Sequence, residues 1–431
     1  MTGLREYSRD LTLPGRLGEP QLVPPSTDEV AERLAPRLAP ELGPLSRVEL
    51  TYARWKPGVA TTACYRLQAG DSTRVLVTKI HADGKAAALA AGDIGKGRFG
   101  DQHEVDIRLI ADGDRLAWCF PADRELPGAA RVLDVGRFAR FFEREGSMPG
   151  WRVRRKHITT DLVRYRPESR AVFHLGVKLE SQRGEKQRIE LGARALRRSV
   201  ALRVIEQRHL FERSAEARTL APTLCAAEAR SGLLFEHWLP GTVARPGEFQ
   251  AASQAGSILA RLHQLPHWEG ARPTKPHDAA DALAWLSRDP AVEQATPALS
   301  PIVGRPRCWV HGDFHPDQVG TDPDRERTYL LDLDRLGAGD PLDDLAEWIA
   351  DDLAEGDGAR GGLGASAGPL LDAYLGAGGE EPDGNALLDR VRAALVRRAA
   401  AAMRRLESDA TGRALELLNR ARELRIEETA P

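Results

Sequence analysis

The segment Cys308-Trp-Val-His-Gly-Asp-Phe-His-Pro-Asp-Gln-Val319 carries the strongest signal in the chain. Its apolar beginning is typical of a buried strand, and the polar residues that follow are typical of a loop. This segment and the one after it contain three side chains that could accept a proton or bind a metal. They are the carboxylate of Asp313, the amide of Gln318 five residues later, and the carboxylate of Asp332 nineteen residues after Asp313. Asp332 stands at the end of a second apolar run, Tyr329 to Leu331.

These groups match the needs of phosphoryl transfer to an alcohol. A carboxylate must orient the hydroxyl and accept its proton, and oxygen ligands must hold magnesium against the phosphates. Protein kinases space such groups in a His-Arg-Asp-x4-Asn loop followed by a metal-binding aspartate. The present segment differs from that loop at Gly312 and Gln318.

The segment resembles the aminoglycoside phosphotransferase and choline kinase family, whose His-Gly-Asp-x4-Asn loop precedes Ile-Asp-(Phe/Trp)-(Asp/Glu) and Gly-Asp-Pro-x-x-Asp-Leu-Ala motifs. The matching stretches are His311 to Gln318, Leu331 to Asp334 and Gly339 to Ala346. The resemblance implies an α+β, bilobal protein-kinase-like fold with a β-rich N-lobe and an α-rich C-lobe. It also implies ATP and Mg²⁺ as cofactors and a small-molecule acceptor.

The same resemblance implies roles for single residues. Asp313 is the expected catalytic base, and Gln318 and Asp332 are the expected metal ligands. His311 belongs to the catalytic loop, where we expect it to orient the loop by hydrogen bonding rather than to carry a proton. Two further aspartates are expected to support the site: Asp334 and Asp344.

Gln318 also bears on the acceptor. A glutamine at this position resembles the loop of bacterial maltokinases and glucosamine kinases, so a sugar or an amino sugar is the favoured acceptor. An antibiotic, another alcohol or a peptide Ser/Thr remain alternatives. A nucleotide-binding pseudokinase or scaffold is the alternative without catalysis, although the joint presence of Asp313, Gln318 and Asp332 speaks against it.

An acidic run follows the third motif. At helical spacing Asp344, Glu347, Asp351 and Glu355 share one face, where like charges are mildly destabilising unless water, a cation or a basic partner compensates. A solvated face near a helix N-terminus is the ordinary interpretation. If the face instead bordered the acceptor pocket, it would favour an ammonium-bearing substrate such as an amino sugar.

Two other interpretations of the polar residues between His311 and Asp334 are weaker. The spacing His311-x-Asp-x-His315-x-Asp317 could form a mononuclear metal cluster, since His and Asp are good ligands. Pro316 interrupts any regular strand there, and no second ligand group stands nearby in sequence. The pair Asp332-Leu-Asp334 also resembles the Asp-x-Asp of nucleotide-sugar transferases, but that motif is short and common.

Two segments of the first half repeat one pattern. Tyr52 to Ile80 and Val163 to Leu196 each indicate a strand, a Pro turn, a second strand, a polar turn and a third strand. Two three-stranded meanders that arose by internal duplication are the economical interpretation. Gly and Pro clusters then divide the chain into three predicted parts: an accessory N-terminal α+β domain at 1–148, a kinase-like N-lobe and hinge at 149–241, and a helical C-lobe at 242–431.

The second meander is expected to hold the nucleotide. Kinase N-lobes place a phosphate-holding cation on the third strand and a carboxylate that holds it on the next helix. Arg194 and Glu206 occupy those places, with Arg where the family has Lys. Lys79 is the matching residue of the first meander, and it is the alternative cation if that meander packs over the site. No Gly-rich loop is present, so the turn carrying Glu168 and Ser169 is its expected substitute. The residues expected beside the adenine are Glu236, His237 and Trp238.

The composition is globular and nearly neutral, with 42% hydrophobic residues, 29% charged residues and a net charge of -2. This balance gives no strong attraction to nucleic acid or to a membrane. Met1 to Pro14 lacks the apolar centre of a signal peptide, and no apolar run approaches the roughly 20 residues that cross a bilayer. The four cysteines lack zinc or redox spacings. We therefore expect a cytoplasmic protein with reduced thiols, and the oligomeric state stays open.

Overall fold

A computed structural model describes residues 23–424 of the chain, and Met1 to Pro14 therefore lie outside the described residues. Within that range the description has breaks at 57, 83–84, 90–108, 113, 240, 267, 275–278, 301, 303–306, 323–325, 356–362 and 406–408. The described residues form a mixed α+β fold, as the sequence predicts. None of the helices among them is long and apolar enough to cross a membrane.

The first meander belongs to a five-stranded antiparallel sheet of order β1-β2-β3-β5-β4. In the chain, short helices precede this sheet, and two helices, α3 and α4, follow it. The strands are β1 (Arg47–Lys56), β2 (Ala60–Ala69), β3 (Ser72–His81), β4 (Leu109–Asp112) and β5 (Arg115–Cys119). The helices are α1 (Thr27–Glu29), α2 (Ala35–Leu38), α3 (Pro127–Leu133) and α4 (Val135–Glu145).

The second meander belongs to a sheet with the same order, β6-β7-β8-β10-β9. Its first strand begins well before the predicted run at Val163, because the charged stretch from Trp151 also pairs with β7 through an irregular register. The strands are β6 (Trp151–Arg166), β7 (Arg170–Ser181), β8 (Lys186–Leu196), β9 (Leu224–Glu228) and β10 (Leu233–His237). Both predicted meanders are confirmed by the strand pairing.

The two sheets also match residue by residue. Lys79 pairs with Thr62, the third residue of β2, and with Leu116, the second residue of β5. Arg194 pairs with Val172, the third residue of β7, and with Leu234, the second residue of β10. Lys79 and Arg194 therefore occupy the same position in two sheets of equal topology, which is what a duplicated unit would produce.

Alternating side chains explain which face of the second sheet is buried. Residues such as Phe173 and Phe235 point to one side, where they are no more than 1% exposed. The phenylalanines of α4 cover that side, with the rings of Phe138 and Phe142 centred 5.5 and 6.4 Å from the ring of Phe235. Asp134 caps the N-terminus of α4, and its carboxylate accepts the N–H of Arg137 at 2.9 Å.

The rest of the chain is mainly helical. The helices are α5 (Arg198–Phe211), α6 (Ala217–Leu220), α7 (Phe249–His263), α8 (Ala280–Leu286), α9 (Pro290–Ala295), α10 (Pro341–Glu355), α11 (Ala367–Gly376), α12 (Gly384–Arg404) and α13 (Ala410–Glu423). Short strands carry the predicted motifs: β11 (Thr242–Val243), β12 (Cys308–Val310), β13 (Val319–Asp322), β14 (Arg327–Leu330) and β15 (Gly337–Gly339). Helices α7 and α11 approach closely at Gly256, where a Cβ would lie 2.1 Å from the carbonyl oxygen of Leu370.

The fold divides into two compact units. The first holds the described residues up to 202 together with 224–238 and 404–410, and so contains both five-stranded sheets. The second holds 203–223, 239–403 and the described residues from 411 onward. The part of the first unit that contains β9 and β10 ends at Trp238, one residue after β10. The three-part division predicted from the sequence stays a prediction.

Candidate active site

The loop that carries Asp313 leaves the end of a short buried strand. Strand β12 pairs with β15 in antiparallel register, Val310 opposite Gly337, and the chain then turns at Gly312. Gly312 has φ 76°, and a Cβ there would lie 2.7 Å from the carbonyl oxygen of Arg335. Only glycine combines this backbone with so close an approach, which explains why the loop has Gly where protein kinases have Arg.

Asp344 holds this loop in place through hydrogen bonds to its backbone. Its carboxylate, in the first turn of α10, is fully buried and accepts the N–H groups of His311 at 2.7 Å and Gly312 at 2.9 Å. It also lies 3.3 Å from Nε2 of His263, whose Nδ1 lies 2.9 Å from the hydroxyl of Tyr374. Burial alone would raise the pKa of Asp344, but the hydrogen bonds from His263 and His311 lower it below its usual value. Asp344 is therefore placed to keep the loop in one conformation.

We expect Asp344→Ala to lower the free energy of unfolding by about 3 kcal/mol, because it leaves two buried N–H donors without their acceptor. Urea unfolding measures this change. Since the folded pKa of Asp344 is lowered, its stabilisation is complete above the ordinary carboxyl pKa and is lost as the pH falls through the folded value. A second variant, Asp344→Asn, tests the pH dependence because it removes only the charge. Its free energy of unfolding should approach that of wild type in acid, and a difference that persisted there would contradict the stabilising role of the charged carboxylate.

The ring of His311 connects the loop to the metal motif. Its Nε2 lies 2.8 Å from the carbonyl oxygen of Leu331, the residue before Asp332. A carbonyl can only accept, so Nε2 carries the proton in this arrangement. His311 is fully buried. These contacts favour the orienting role over proton transfer.

Asp313 itself is accessible. Its side chain is 38% exposed, and Nη1 of Arg335 donates to Oδ1 at 2.9 Å. One carboxylate oxygen is thus engaged by a cation, while the carboxylate as a whole reaches the surface. Sequence reasoning missed Arg335, although the residue directly follows the Asp332-Leu-Asp334 motif.

A hairpin brings Gln318 and Asp332 together. Strands β13 and β14 pair with Val319 opposite Leu330, and the carbonyl of Gln318 accepts the N–H of Leu331 at 2.8 Å. Asp332 follows at φ 54°, a left-handed backbone that aspartate tolerates better than most residues. Two residues separated by a polar turn in sequence therefore become neighbours.

These residues fit a magnesium ion. Carboxylate and amide oxygens are the donors that Mg²⁺ prefers. The amide nitrogen of Gln318 lies 3.1 Å from Nε2 of His315, so the amide oxygen remains the atom suited to a cation. Burial lowers the pKa of His315, which keeps this ring neutral and able to accept.

The alternative cluster of His311, Asp313, His315 and Asp317 receives no support. Within the described ranges, no group of three or more His, Cys, Asp or Glu residues is arranged to hold a metal ion. The Nε2 of His311 is directed to a backbone carbonyl instead. Asp334, predicted to support the site, accepts a hydrogen bond from Arg203 through its carbonyl at 3.2 Å.

The residues predicted to bind nucleotide phosphates have different partners from those expected. Arg194 is 6% exposed and donates to Glu236 at 3.1 Å, one strand away in the same sheet. Glu206 lies on the exposed side of α5 and pairs with Arg272. The structure thus brings Arg194 together with Glu236, and it gives Glu206 a separate ion pair.

The remaining nucleotide candidates lie at the turn and at the end of the second sheet. Ser169 is exposed at the β6–β7 turn, and His237 is exposed at the end of β10. The ring of Trp238 is centred 4.5 Å from that of His174 and covers Gly192, where a Cβ would meet it at 3.4 Å. Sequence reasoning gave no signal for His174.

The acidic face of α10 is compensated within the protein. Glu347 pairs with Arg397 and Arg398 of α12, and Asp351 pairs with Arg398 at 2.5 Å. Burial raises the pKa of Asp351 even so. A basic partner therefore balances this face, which removes the reason to expect it to attract a cationic acceptor.

Comparison with known proteins agrees with the geometry. The profile of the phosphotransferase enzyme family matches residues 150–377, more than half of the 431-residue chain, and begins one residue before β6. The protein is a small-molecule kinase that phosphorylates hydroxyl groups. It belongs to the phosphotransferase enzyme family, so the kinase-like fold and the family predicted from the sequence are confirmed.

Several solved structures are similar to parts of the chain. A choline kinase from Streptococcus pneumoniae aligns at 9% identity and TM-score 0.39, covering 60% of this chain and 92% of its own. An amicoumacin kinase solved with AMP-PNP and Ca²⁺ aligns at 12% identity and TM-score 0.40, covering 67% and 93%. A type VIII aminoglycoside-3′-phosphotransferase aligns at 17% identity and TM-score 0.38, covering 68% and 99%. Sequence comparison with curated proteins gives no significant match.

Proposed function

We propose that this kinase uses ATP and Mg²⁺ to phosphorylate a hydroxyl of a sugar. The observation that carries the proposal is the pairing of β13 with β14, which sets Gln318 beside the residue before Asp332 while His311 joins the Asp313 loop to that same residue. A base and two oxygen ligands thus share one framework. This is the arrangement that phosphoryl transfer to an alcohol requires.

Asp313 acts as the base in this proposal. One of its oxygens is held by Arg335, and the carboxylate accepts the proton of the acceptor hydroxyl as that oxygen forms its bond to the γ-phosphorus. The bond between the γ-phosphorus and the bridging oxygen breaks at the same time and leaves ADP. Asp332 and Gln318 would hold Mg²⁺, which when bound neutralises charge on the phosphate oxygens.

The choice of a sugar rests on the loop and on the charges around it. Gln318 matches the loop glutamine of bacterial maltokinases and glucosamine kinases, as the sequence resemblance implies, so it favours a sugar without distinguishing a neutral sugar from an amino sugar. The acidic face that would have favoured an amino sugar is paired with Arg397 and Arg398. Arg335 further places a positive charge against the base. A neutral sugar is accordingly favoured over its amino counterpart.

The experiment is a coupled ADP-release assay over a panel of sugars, amino sugars, aminoglycosides, choline and a Ser/Thr peptide, with mass spectrometry of the product. We expect magnesium-dependent ADP release with a neutral sugar. The mass of that sugar should rise by about 80 Da, which corresponds to the net addition of one HPO₃. Release with an amine-bearing acceptor alone would exclude the sugar assignment. ATP binding without any acceptor-dependent release would favour the pseudokinase alternative.

Arg194 is proposed to hold the α and β phosphates, in the place where the family has Lys. We expect Arg194→Ala to raise the KM for ATP by about 10- to 100-fold, and Arg194→Lys to retain much of the activity, because the charge is kept while the planar fork is lost. Initial rates at varied ATP measure both. Glu236→Gln is the matched variant, since it removes the partner of Arg194 and leaves the cation in place. An unchanged KM in Arg194→Ala would refute the role.

A further inference from the structure

Glu168 occupies a conformation that its side chain does not favour. It lies in the turn between β6 and β7 with φ 53°, and it is only 7% exposed. The matching turn of the first sheet has Gly58 at this position, with φ 62°. A left-handed backbone costs a non-glycine residue about 1 kcal/mol, so a glutamate held there must be stabilised by its surroundings.

Every polar group of Glu168 has a partner. Lys79 donates to Oε2 at 2.5 Å, and Arg124 donates to Oε1 at 2.8 Å. The N–H of Glu168 donates to the carboxylate of Asp123 at 2.8 Å, and its carbonyl accepts from Arg197. Burial alone would raise the pKa of Glu168, but Lys79 and Arg124 lower it, so the carboxylate stays charged.

Most of these partners come from the N-terminal part of the chain. Lys79 lies on β3, and Asp123 and Arg124 follow β5. Asp123 is 2% exposed and also accepts the hydroxyl of Tyr165, at the end of β6, at 2.8 Å. All of these residues lie in the first compact unit. The first sheet and the segment that follows it therefore hold the β6–β7 turn through both the backbone and the side chain of Glu168.

The position of Lys79 gives this contact its meaning. Lys79 is the residue of the first sheet that corresponds to Arg194, the proposed phosphate-holding cation of the second. In the first sheet this cation holds a carboxylate of the protein. That carboxylate belongs to the turn that stands where kinases have their phosphate-covering loop.

We propose that Glu168 is a positioning residue through which the N-terminal sheet fixes the β6–β7 turn for the nucleotide phosphates. This inference rests on the proposed function, since it takes ATP as the donor. It assigns a role to residues 23–148, which lie before the family match. A turn without glycines, held at four points, loses little freedom when the phosphates bind, and pre-ordering of this kind raises affinity.

The test measures ATP binding and turn mobility in the full chain. We call the contacts of Lys79, Asp123 and Arg124 with Glu168 the clamp. Glu168→Gly removes the carboxylate but also removes the backbone strain, so any loss of binding reflects loss of the clamp rather than a folding defect. We expect its Kd for Mg-ATP, measured by calorimetry, to rise about tenfold. We expect Lys79→Met to give a smaller rise and the double variant to be no worse than Glu168→Gly, because both changes break one contact. Amide exchange at 166–170 should quicken in each variant without nucleotide.

Arg131→Met is the matched control. It breaks an ion pair of 2.6 Å with Glu228, which also joins the N-terminal part to the second sheet but does not touch the turn. Its Kd for Mg-ATP should stay within about twofold of wild type, since this partly exposed pair does not contact the turn and such pairs contribute little. An equal loss in Arg131→Met, or unchanged binding and exchange in Glu168→Gly, would overturn the clamp. Wild-type protein that failed to bind Mg-ATP would instead overturn the proposed function, and the clamp's role with it.

Discussion

Asp313→Asn should abolish phosphoryl transfer while leaving Mg-ATP binding nearly intact. The base acts on the acceptor rather than on ATP, and asparagine keeps the size of the side chain while losing the ability to accept the proton. General base catalysis contributes about 10²- to 10⁴-fold, so kcat should fall by at least about 100-fold. Acceptor-dependent ADP release measures the rate, and calorimetry measures nucleotide binding.

Asp317→Asn is the control for Asp313, because it removes a second carboxylate from the same loop. We expect it to retain kcat within about threefold, because this half-buried carboxylate is neither the proposed base nor a proposed metal ligand. If the two variants lost activity equally together with a bound metal, the mononuclear cluster of His311, Asp313, His315 and Asp317 would regain support. Equal loss of ATP binding and turnover in Asp313→Asn would count against its role as base.

Replacing Asp332 should remove the magnesium dependence of ATP binding. A carboxylate ligand of the metal would contribute several kcal/mol to binding, so the Kd for Mg-ATP should rise by more than about 100-fold while binding of ATP without magnesium changes little. Titrations with and without Mg²⁺ measure the difference. The same magnesium response in variant and wild type would exclude Asp332 as a ligand.

The backbone of Asp332 requires two variants for a clean result. At φ 54° alanine would be strained, whereas glycine and asparagine tolerate this conformation. We therefore expect Asp332→Gly and Asp332→Ala to lose the magnesium effect equally, with only the alanine variant showing lower thermal stability. A magnesium effect that survived in the glycine variant would mean that strain, not ligation, explained the alanine result.

The family and the chemistry of this protein could be predicted from one stretch of sequence. The spacing of His311, Asp313, Gln318 and Asp332 pointed to a small-molecule kinase, and strand alternation predicted both meanders. Such signals are local: a strand has a period of two residues, and a catalytic loop has fixed spacings. Both signals come from residues that are close together in the sequence, so they can be recognised without the tertiary structure.

The pairing of distant charges could not be predicted in this way. Lys79 and Glu168 are 89 residues apart, and His263 and Asp344 are 81 apart, yet each pair meets across packed elements. A lone His on a helix or a lone Glu in a turn gives no periodic signal of its partner. The same limit explains Arg194, which was expected to face a carboxylate on the next helix but pairs with Glu236 on a neighbouring strand.

The sequence by itself therefore determined the reaction class, the candidate base and metal ligands, and the two meanders. Only the tertiary structure decided which charges are balanced within the protein, as between α10 and α12, and which part of the chain grips the β6–β7 turn. Spacing along the chain fixes what one segment presents. Packing fixes which segment it meets, because burying a charge is costly unless a partner from elsewhere in the fold is brought against it.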